Sequence, residues 1–203
     1  EGRTRKMDCG QITDGATFVF LASEERAADY AKKRGIALED LPHISGWGHR
    51  TAPLSYDAKI KASAGGAYVF PQVRGAIEDA RRRAGIEGVD QLDAVETHDC
   101  FTVTEYMAID HLGITAPGES WKAIEEGVIE MGGRLPINAS GGLIGLGHPV
   151  GATGVRMLLD AHKQVTGTAG DYQVEGAKRV QTLNIGGSTT TTASFVVENA
   201  QAA

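Results

Sequence analysis

The chain has 203 residues, of which 41% are hydrophobic and only 6% are aromatic, and its formal net charge is -6 at pH 7. This length suits one large domain or one and a half small ones, and the negative charge argues against a nucleic-acid-binding surface. Two cysteines, Cys9 and Cys100, are too few for a disulfide framework or a zinc ribbon, so we expect a cytoplasmic protein without a metal site. No apolar run reaches membrane-spanning length, and we expect no signal peptide and no membrane partner. The first six residues are expected to continue a longer chain.

The first half of the chain alternates between strand and helix patterns. Ala16 to Ala22 is a continuous apolar run, which predicts a buried strand. Ser23 suits a helix N-cap and Gly35 a helix end, so a helix is predicted over residues 24–33. The pattern then predicts a strand at 44–49, a polar loop through Pro53, a helix at about 71–83 closed by Gly85, and a strand at 92–96.

The second half continues the alternation. It predicts a helix at 102–112 ending at Gly113, a short helix at 121–127, a glycine-rich loop at 132–147, and strands at 180–185 and 193–198. Pro149 suits the first position of a helix, because it has no N–H to leave unpaired, so a helix is predicted from Pro149 to about residue 161. The fold class is therefore α/β, with a mixed sheet between helical layers.

Two polar clusters follow these elements. His148 lies in the glycine-rich segment Gly145–Gly154 at a predicted helix start, where the helix dipole favours a neutral imidazole able to act as a base. His98, Cys100 and their neighbours follow the strand at 92–96, at the strand end where α/β sheets bind ligands. A cysteine near a helix start is expected to have a lowered pKa. The alternative is that Cys100 is a small buried hydrophobe and His98 a hydrogen-bonded turn residue.

Two glycine-containing segments, at 138–142 and 184–188, can present backbone N–H groups to a ligand. Ordinary turns are the alternative. The basic run Arg81 to Arg83 falls at a predicted helix end, and we interpret it as complementing the helix dipole rather than binding phosphate. The remaining histidines lack a motif, and no pair has a metal-ligand spacing with carboxylates.

Taken together and in order, these segments resemble the C-terminal half of a thiolase, from about Asp8 to Glu198. The segments are Asp14-Gly15-Ala16, His98-Asp99-Cys100-Phe101, Asn138 to Gly142, Gly147 to Gly154 and Asn184-Ile185-Gly186-Gly187. The stretch around His148 is the most specific. The His-Asp-Cys-Phe tetrapeptide is similar to sterol-carrier-protein-type thiolases, whereas most others carry Asn-Glu-Ala-Phe there. Those others also carry a catalytic cysteine where this chain has Asn184, and Cys100 is expected to replace it.

The resemblance implies an acyl-CoA C-acyltransferase, which cleaves 3-oxoacyl-CoA with a second CoA or runs the reverse Claisen condensation. It implies that His148 activates a nucleophilic cysteine and binds the thioester oxygen, and that His98 holds an oxyanion-hole water. Cys100 is the implied acid/base for the acetyl-CoA enolate, and Gly186 the implied backbone donor of a second oxyanion hole. Gly10 and Phe101 match positions near the pantetheine arm. Coenzyme A enters as a substrate, and no cofactor is expected.

The nucleophile of a thiolase lies in its N-terminal half, and Cys9 does not match it. Residues 1–40 resemble the end of that half, with its last strand and helix, and residues 41–203 the C-terminal domain. We therefore expect a missing N-terminal half or a partner subunit, and a homo-oligomer, a homodimer, when the enzyme is complete. Two alternatives are a thiolase-like aldolase subunit, in which tyrosines replace the cysteine and histidines, and a non-catalytic acyl-CoA or lipid-binding module.

Overall fold

A computed structural model of the chain describes residues 3–199. Its helices are α1 (Glu24–Arg34), α2 (Tyr56–Ser63), α3 (Pro71–Ala84), α4 (Thr102–Leu112), α5 (Ser120–Glu125), α6 (Gly142–Gly145) and α7 (Thr153–Val165). Its strands are β1 (His43–Thr51), β2 (Ala94–Thr97), β3 (Arg179–Gly186) and β4 (Thr191–Glu198). The alternating α/β architecture predicted from the sequence is confirmed.

The four strands form one mixed sheet in the order β1-β4-β3-β2. Strands β2 and β3 run parallel, and the other two pairings are antiparallel. The carboxyl ends of β2 and β3 therefore lie at the same edge of the sheet. The outer side of β2 is also hydrogen-bonded, because Val95 N donates to Pro136 O at 2.9 Å and Asn138 N donates to Val95 O at 2.8 Å.

Helices cover both faces of the sheet. Neighbouring residues on a strand point to opposite faces, so Val95 and Ala94 of β2 belong to different apolar clusters. The Val95 cluster contains side chains of α3 and α4, and the Ala94 cluster contains side chains of α7. Helix α3 rests directly on β1 at Gly48, where any Cβ would overlap the backbone of Ala76.

The capping signals locate several helices correctly. Ser23 Oγ accepts a hydrogen bond from Arg26 N at 3.4 Å, and α1 ends at Gly35 with φ +67°. Gly85 and Gly113 end α3 and α4 in the same left-handed conformation. These residues act through their own backbone or their nearest neighbours, so the signal does not depend on tertiary contacts.

The predicted helix start at Pro149 is wrong, because α7 begins four residues later, at Thr153. Pro149 instead opens a tight turn, in which its carbonyl accepts from Ala152 N at 2.7 Å and from Thr153 N at 3.0 Å. A proline fits this turn for the same reason that it fits a first helical turn, since it needs no donor of its own. Helix α7 also continues beyond residue 161, to Val165.

The strand predicted at Ala16–Ala22 is wrong for this structure. Residues 13–23 form neither helix nor strand, and the side chains of Phe18 and Phe20 are 81% and 100% exposed. An apolar run becomes a buried strand only when other strands flank it, and no strand among residues 3–199 pairs with this one.

Two smaller corrections concern α2 and Arg81. Helix α2 was not predicted, although Ser55 Oγ caps it by accepting from Ala58 N at 3.2 Å. It buries no residue, so it lacks the apolar periodicity of the other helices. Arg81 is buried rather than solvated, and it donates to Gln181 Oε1 and to Leu112 O, each at 2.8 Å. Its guanidinium therefore binds a carbonyl at the C-terminal end of α4, rather than complementing the dipole of its own helix, α3.

Candidate active site

The carboxyl-end edge of β2 and β3 places two histidines side by side. His98 follows β2, and its ring meets that of His148 edge-on, with centroids 5.2 Å apart and an interplanar angle of 87°. Both side chains are buried. Asn184 of β3 points to the same place, with its Nδ2 3.3 Å from His98 Nδ1. The two motifs that the sequence analysis singled out, 50 residues apart, thus form one cluster.

His148 is held from its backbone and from its ring. Thr13 N donates to His148 O at 3.2 Å, and His148 Nδ1 lies 2.7 Å from the hydroxyl of Thr153 at the start of α7. That hydroxyl donates its one proton to Pro149 O at 3.2 Å, because a carbonyl can only accept. Nδ1 must then carry the proton in its bond to Thr153, which leaves a lone pair on Nε2.

Both imidazoles are held neutral by their surroundings. Burial, and to a lesser extent the neighbouring His148, lower the pKa of His98 to about 4. Burial also lowers the pKa of His148, and the positive charge of Arg156 adds to this, while Asp99 opposes it. At neutral pH the pair therefore avoids like-charge repulsion, and the bare Nε2 of His148 can accept a proton.

Cys100 differs from the expectation of a lowered pKa. Burial raises the pKa of its half-buried thiol, and the carboxylate of Asp99 also raises it, which outweighs a contact of 3.7 Å to Thr104 Oγ1. Desolvation disfavours the thiolate more than proximity to the start of α4 favours it. At neutral pH Cys100 is thus a protonated thiol, which suits a proton donor better than a nucleophile.

The segment around Cys9 lies beside the residues that join β2 to α4, which include Cys100 and Phe101. Gly10 N donates to Cys100 O at 2.8 Å, and Cys9 forms an antiparallel bridge with Phe101. Gly10 and Phe101, both matched to the pantetheine arm, therefore lie beside Cys100. Gly186 lies at the exposed end of β3, two residues beyond Asn184, and pairs with Thr191 of β4.

Three side chains fasten the loop at 138–145 to the end of β2. Asp99 accepts from Leu143 N at 2.6 Å and Ile144 N at 3.3 Å, Glu96 accepts from Ser140 N at 3.2 Å, and Asn138 Oδ1 accepts from Thr97 N at 2.7 Å. Four of the five N–H groups in the predicted segment 138–142 likewise bond inside the protein, which favours the ordinary turn over a segment that presents them to a ligand.

Glu96 belongs to a buried polar chain that joins this loop to α7. Ser140 Oγ donates to Glu96 Oε2 at 2.6 Å, and Arg156 Nη1 reaches both Ser140 Oγ at 3.1 Å and Asp160 Oδ2 at 2.7 Å. Burial, with a smaller contribution from the nearby Asp160, raises the pKa of Glu96 to about 7, although its hydrogen bonds to Ser140 oppose the shift. No sequence motif indicates this polar network, because its members are scattered over β2, a loop and a helix.

Gly142 allows Asp99 to reach the loop, and replacing it should be costly. Its φ is +61°, and a Cβ there would lie 2.6 Å from Asp99 Oδ1. We expect Gly142→Ala to lower the free energy of unfolding by about 1–3 kcal/mol, measured by denaturant unfolding. Gly145→Ala, in the same short helix α6 but with open space around it, is the matched control, with an expected loss below about 0.5 kcal/mol. Equal losses in the two variants would contradict the clash.

Neither a metal-binding group nor a spanning helix occurs in the described part of the chain. Between residues 3 and 199, no three His, Cys, Asp or Glu side chains are grouped so that they could hold a metal ion. No helix in this range is long and apolar enough to cross a bilayer.

Comparison with known proteins gives consistent results. A family model described as thiolase C-terminal domain-like matches residues 59–199. Acetyl-CoA acetyltransferase of Methanothermobacter thermautotrophicus is 35% identical, and the match covers 95% of this chain and 47% of that protein. Sterol carrier protein 2 of Oryctolagus cuniculus is 32% identical over 89% of this chain and 31% of its own length. Among solved structures, the Ltp2-ChsH2(DUF35) aldolase superposes with a TM-score of 0.62 at 23% identity, over 78% of this chain and 40% of that one.

Proposed function

Since the chain belongs to the thiolase C-terminal domain-like family, we propose that it supplies the acid/base and oxyanion-binding half of an acyl-CoA C-acyltransferase. The chain spans 31% to 47% of the length of the curated relatives named above. The nucleophilic cysteine is accordingly assigned to an N-terminal half or a partner subunit. Coenzyme A is the substrate carrier, no cofactor takes part, and the complete enzyme is proposed to be a cytoplasmic homodimer.

One observation carries this proposal: the neutral histidine pair with Cys100 two residues from His98. A thiol nucleophile needs a neutral base near it, and the Nε2 lone pair of His148 meets that need. An acyl oxygen that gains negative charge needs donors, which His98, its water and the backbone of Gly186 are assigned to supply.

The proposed cleavage of a 3-oxoacyl-CoA begins with proton transfer from the nucleophilic thiol to His148 Nε2. The thiolate attacks the 3-oxo carbon, and the bond between C2 and C3 breaks as the electron pair moves to C2. Cys100 gives its proton to C2, so acetyl-CoA leaves and an acyl-enzyme thioester remains. A second CoA returns a proton to Cys100 and takes the acyl group, which frees the nucleophile to recover its proton from His148.

Turnover with and without the missing half tests the proposal. The pure 203-residue chain is expected to show no thiolysis of acetoacetyl-CoA, because acid/base groups alone cannot form the covalent acyl intermediate. Co-production with a thiolase N-terminal half carrying the nucleophile is expected to restore CoA-dependent cleavage, with an acyl-enzyme visible by mass spectrometry. An N-terminal half with that cysteine changed to alanine is the control. Steady turnover by the chain alone would mean that the nucleophile is misplaced.

The same experiment separates the two alternatives. A thiolase-like aldolase subunit would release a carbonyl product without consuming CoA, and the named aldolase is one structural neighbour with this fold. A non-catalytic module would bind acyl-CoA and cleave nothing, even with the N-terminal half present. The retention of His98, Cys100 and His148 favours the acyltransferase, because neither alternative requires this set.

A further inference from the structure

Asn184 occupies a central place beside the histidine pair, yet the proposed mechanism gives it no task. It stands on the face of β3 that looks towards α7, and its amide nitrogen lies 3.3 Å from His98 Nδ1 and 3.6 Å from the sulfur of Met157. The start of α7 closes over it, since a Cβ at Gly154 would lie 3.5 Å from the Asn184 Cγ. The amide is thus confined on several sides.

The orientation of this amide determines what its neighbours must be. A thioether sulfur can only accept a hydrogen bond, so the Met157 contact is matched by the N–H₂ end of the amide. The same N–H₂ group of Asn184 faces His98 Nδ1. Because this group can only donate, His98 Nδ1 must be the acceptor. Nδ1 of His98 therefore bears its lone pair, and the proton of the neutral ring sits on Nε2.

We propose that Asn184 is a positioning residue that holds His98 as the Nε2–H tautomer, so that this ring donates a hydrogen bond into the site. The inference deepens the proposed function and rests on it for its catalytic consequence. The two rings then carry opposite functions at their free nitrogens. His148, with Nδ1–H tied to Thr153, offers a bare Nε2 that takes a proton, whereas His98 offers an N–H that stabilises developing negative charge.

The difference in tautomer between His148 and His98 has a chemical advantage. If both tautomers were open to each ring, either of the two imidazoles, whose centroids are 5.2 Å apart, could present an N–H or a lone pair to the site. Separate partners, a hydroxyl that accepts for His148 and an amide that donates for His98, remove this ambiguity before substrate arrives. The donor is then preorganised, which is what gives an oxyanion contact its effect on rate.

The test replaces the donor by an acceptor of the same shape. In Asn184→Asp a carboxylate faces His98 Nδ1, and we expect the proton to move to Nδ1 and the pKa of His98 to rise well above its wild-type value. Nitrogen-15 NMR of the histidine rings in the 203-residue chain reads the tautomer directly. Asn199→Asp, an identical change beyond the far end of β4, is the matched control and should leave His98 unchanged.

Two outcomes would overturn the proposal: a His98 that keeps Nε2–H and its wild-type pKa in Asn184→Asp, or an Nδ1 that carries the proton in the wild type. If the aspartate variant fails to fold, Asn184→Ala serves instead, and a loss of the hydrogen-bonded Nδ1 signal is the expected result. In the completed enzyme Asn184→Asp should lower kcat by about 10²–10³ with little change in KM. A tautomer switch without any acyltransferase activity in the wild-type complex would refute the proposed function while leaving this inference intact.

Discussion

Replacing His148 by alanine, in the complex with a nucleophile-bearing half, is expected to lower turnover by about 10²–10⁴-fold. Both half-reactions should suffer, because His148 is assigned to activation of the nucleophile and to binding of the thioester oxygen. Its bare Nε2 follows from the bond between Nδ1 and Thr153, so the effect depends on a specific nitrogen. Rapid-quench measurement of acyl-enzyme formation and α-proton exchange of acetyl-CoA would follow the two steps separately.

The variant His148→Asn separates chemistry from folding. The asparagine amide can still donate to Thr153 in place of Nδ1, but it has no equivalent of Nε2. It should therefore unfold near the wild-type denaturant concentration and remain as inactive as His148→Ala. The exposed His49 on β1 gives the control, and His49→Ala should keep full activity. Near-wild-type acylation in His148→Asn would remove His148 from the role of base.

Replacing Cys100 by serine should produce the second large effect, confined to one step. Loss of a general acid/base typically costs about 10²–10⁴-fold in rate, and a hydroxyl is a far poorer proton donor and acceptor than a thiol near neutral pH. We expect α-proton exchange of acetyl-CoA to fall by this amount, whereas acylation of the nucleophile by a simple acyl-CoA should suffer less. Folding and CoA binding should stay nearly intact, because serine has almost the same size.

Cys9→Ser provides the matched control for this experiment. Cys9 is the other free cysteine, also partly buried, and it lies in the adjoining segment that pairs with Phe101. Its replacement should leave both half-reactions unchanged. If Cys100→Ser retained near-wild-type exchange, Cys100 would be a packed thiol. A bound water would then have to carry the proton.

Local signals carried most of the fold prediction. Caps and glycine ends located α1, α3 and α4, since each depends on a few consecutive residues. The strand prediction for residues 16–22 was wrong, because the burial of a strand depends on neighbouring strands, which no local pattern encodes. Helix α2 was missed for the opposite reason, because it packs no apolar face and only Ser55 signals its start.

The site was predictable only in part. The glycine-rich segment and the tetrapeptide pointed to His98, Cys100 and His148, and the structure places the two histidines in contact. What holds them was not predictable. Asp99 accepts a hydrogen bond from a loop residue 44 positions away, and Asn184 contacts His98 across 86 positions. Contacts over such separations follow no regular sequence spacing, so no local pattern predicts them. The raised pKa of Cys100 likewise depends on burial, which the position before a helix does not reveal.

The segment at 136–138 along the outer side of β2 also bears on misassembly. An open strand edge can template the addition of a strand from another molecule, which leads to aggregation. Strand β2, which leads into His98, has its outer hydrogen-bonding groups at Val95 already occupied. An incoming strand would first have to strip away Asn138, and with it the bond to Thr97 N. The strand that leads into the histidine pair is thereby protected from adding a strand of another molecule along its outer edge.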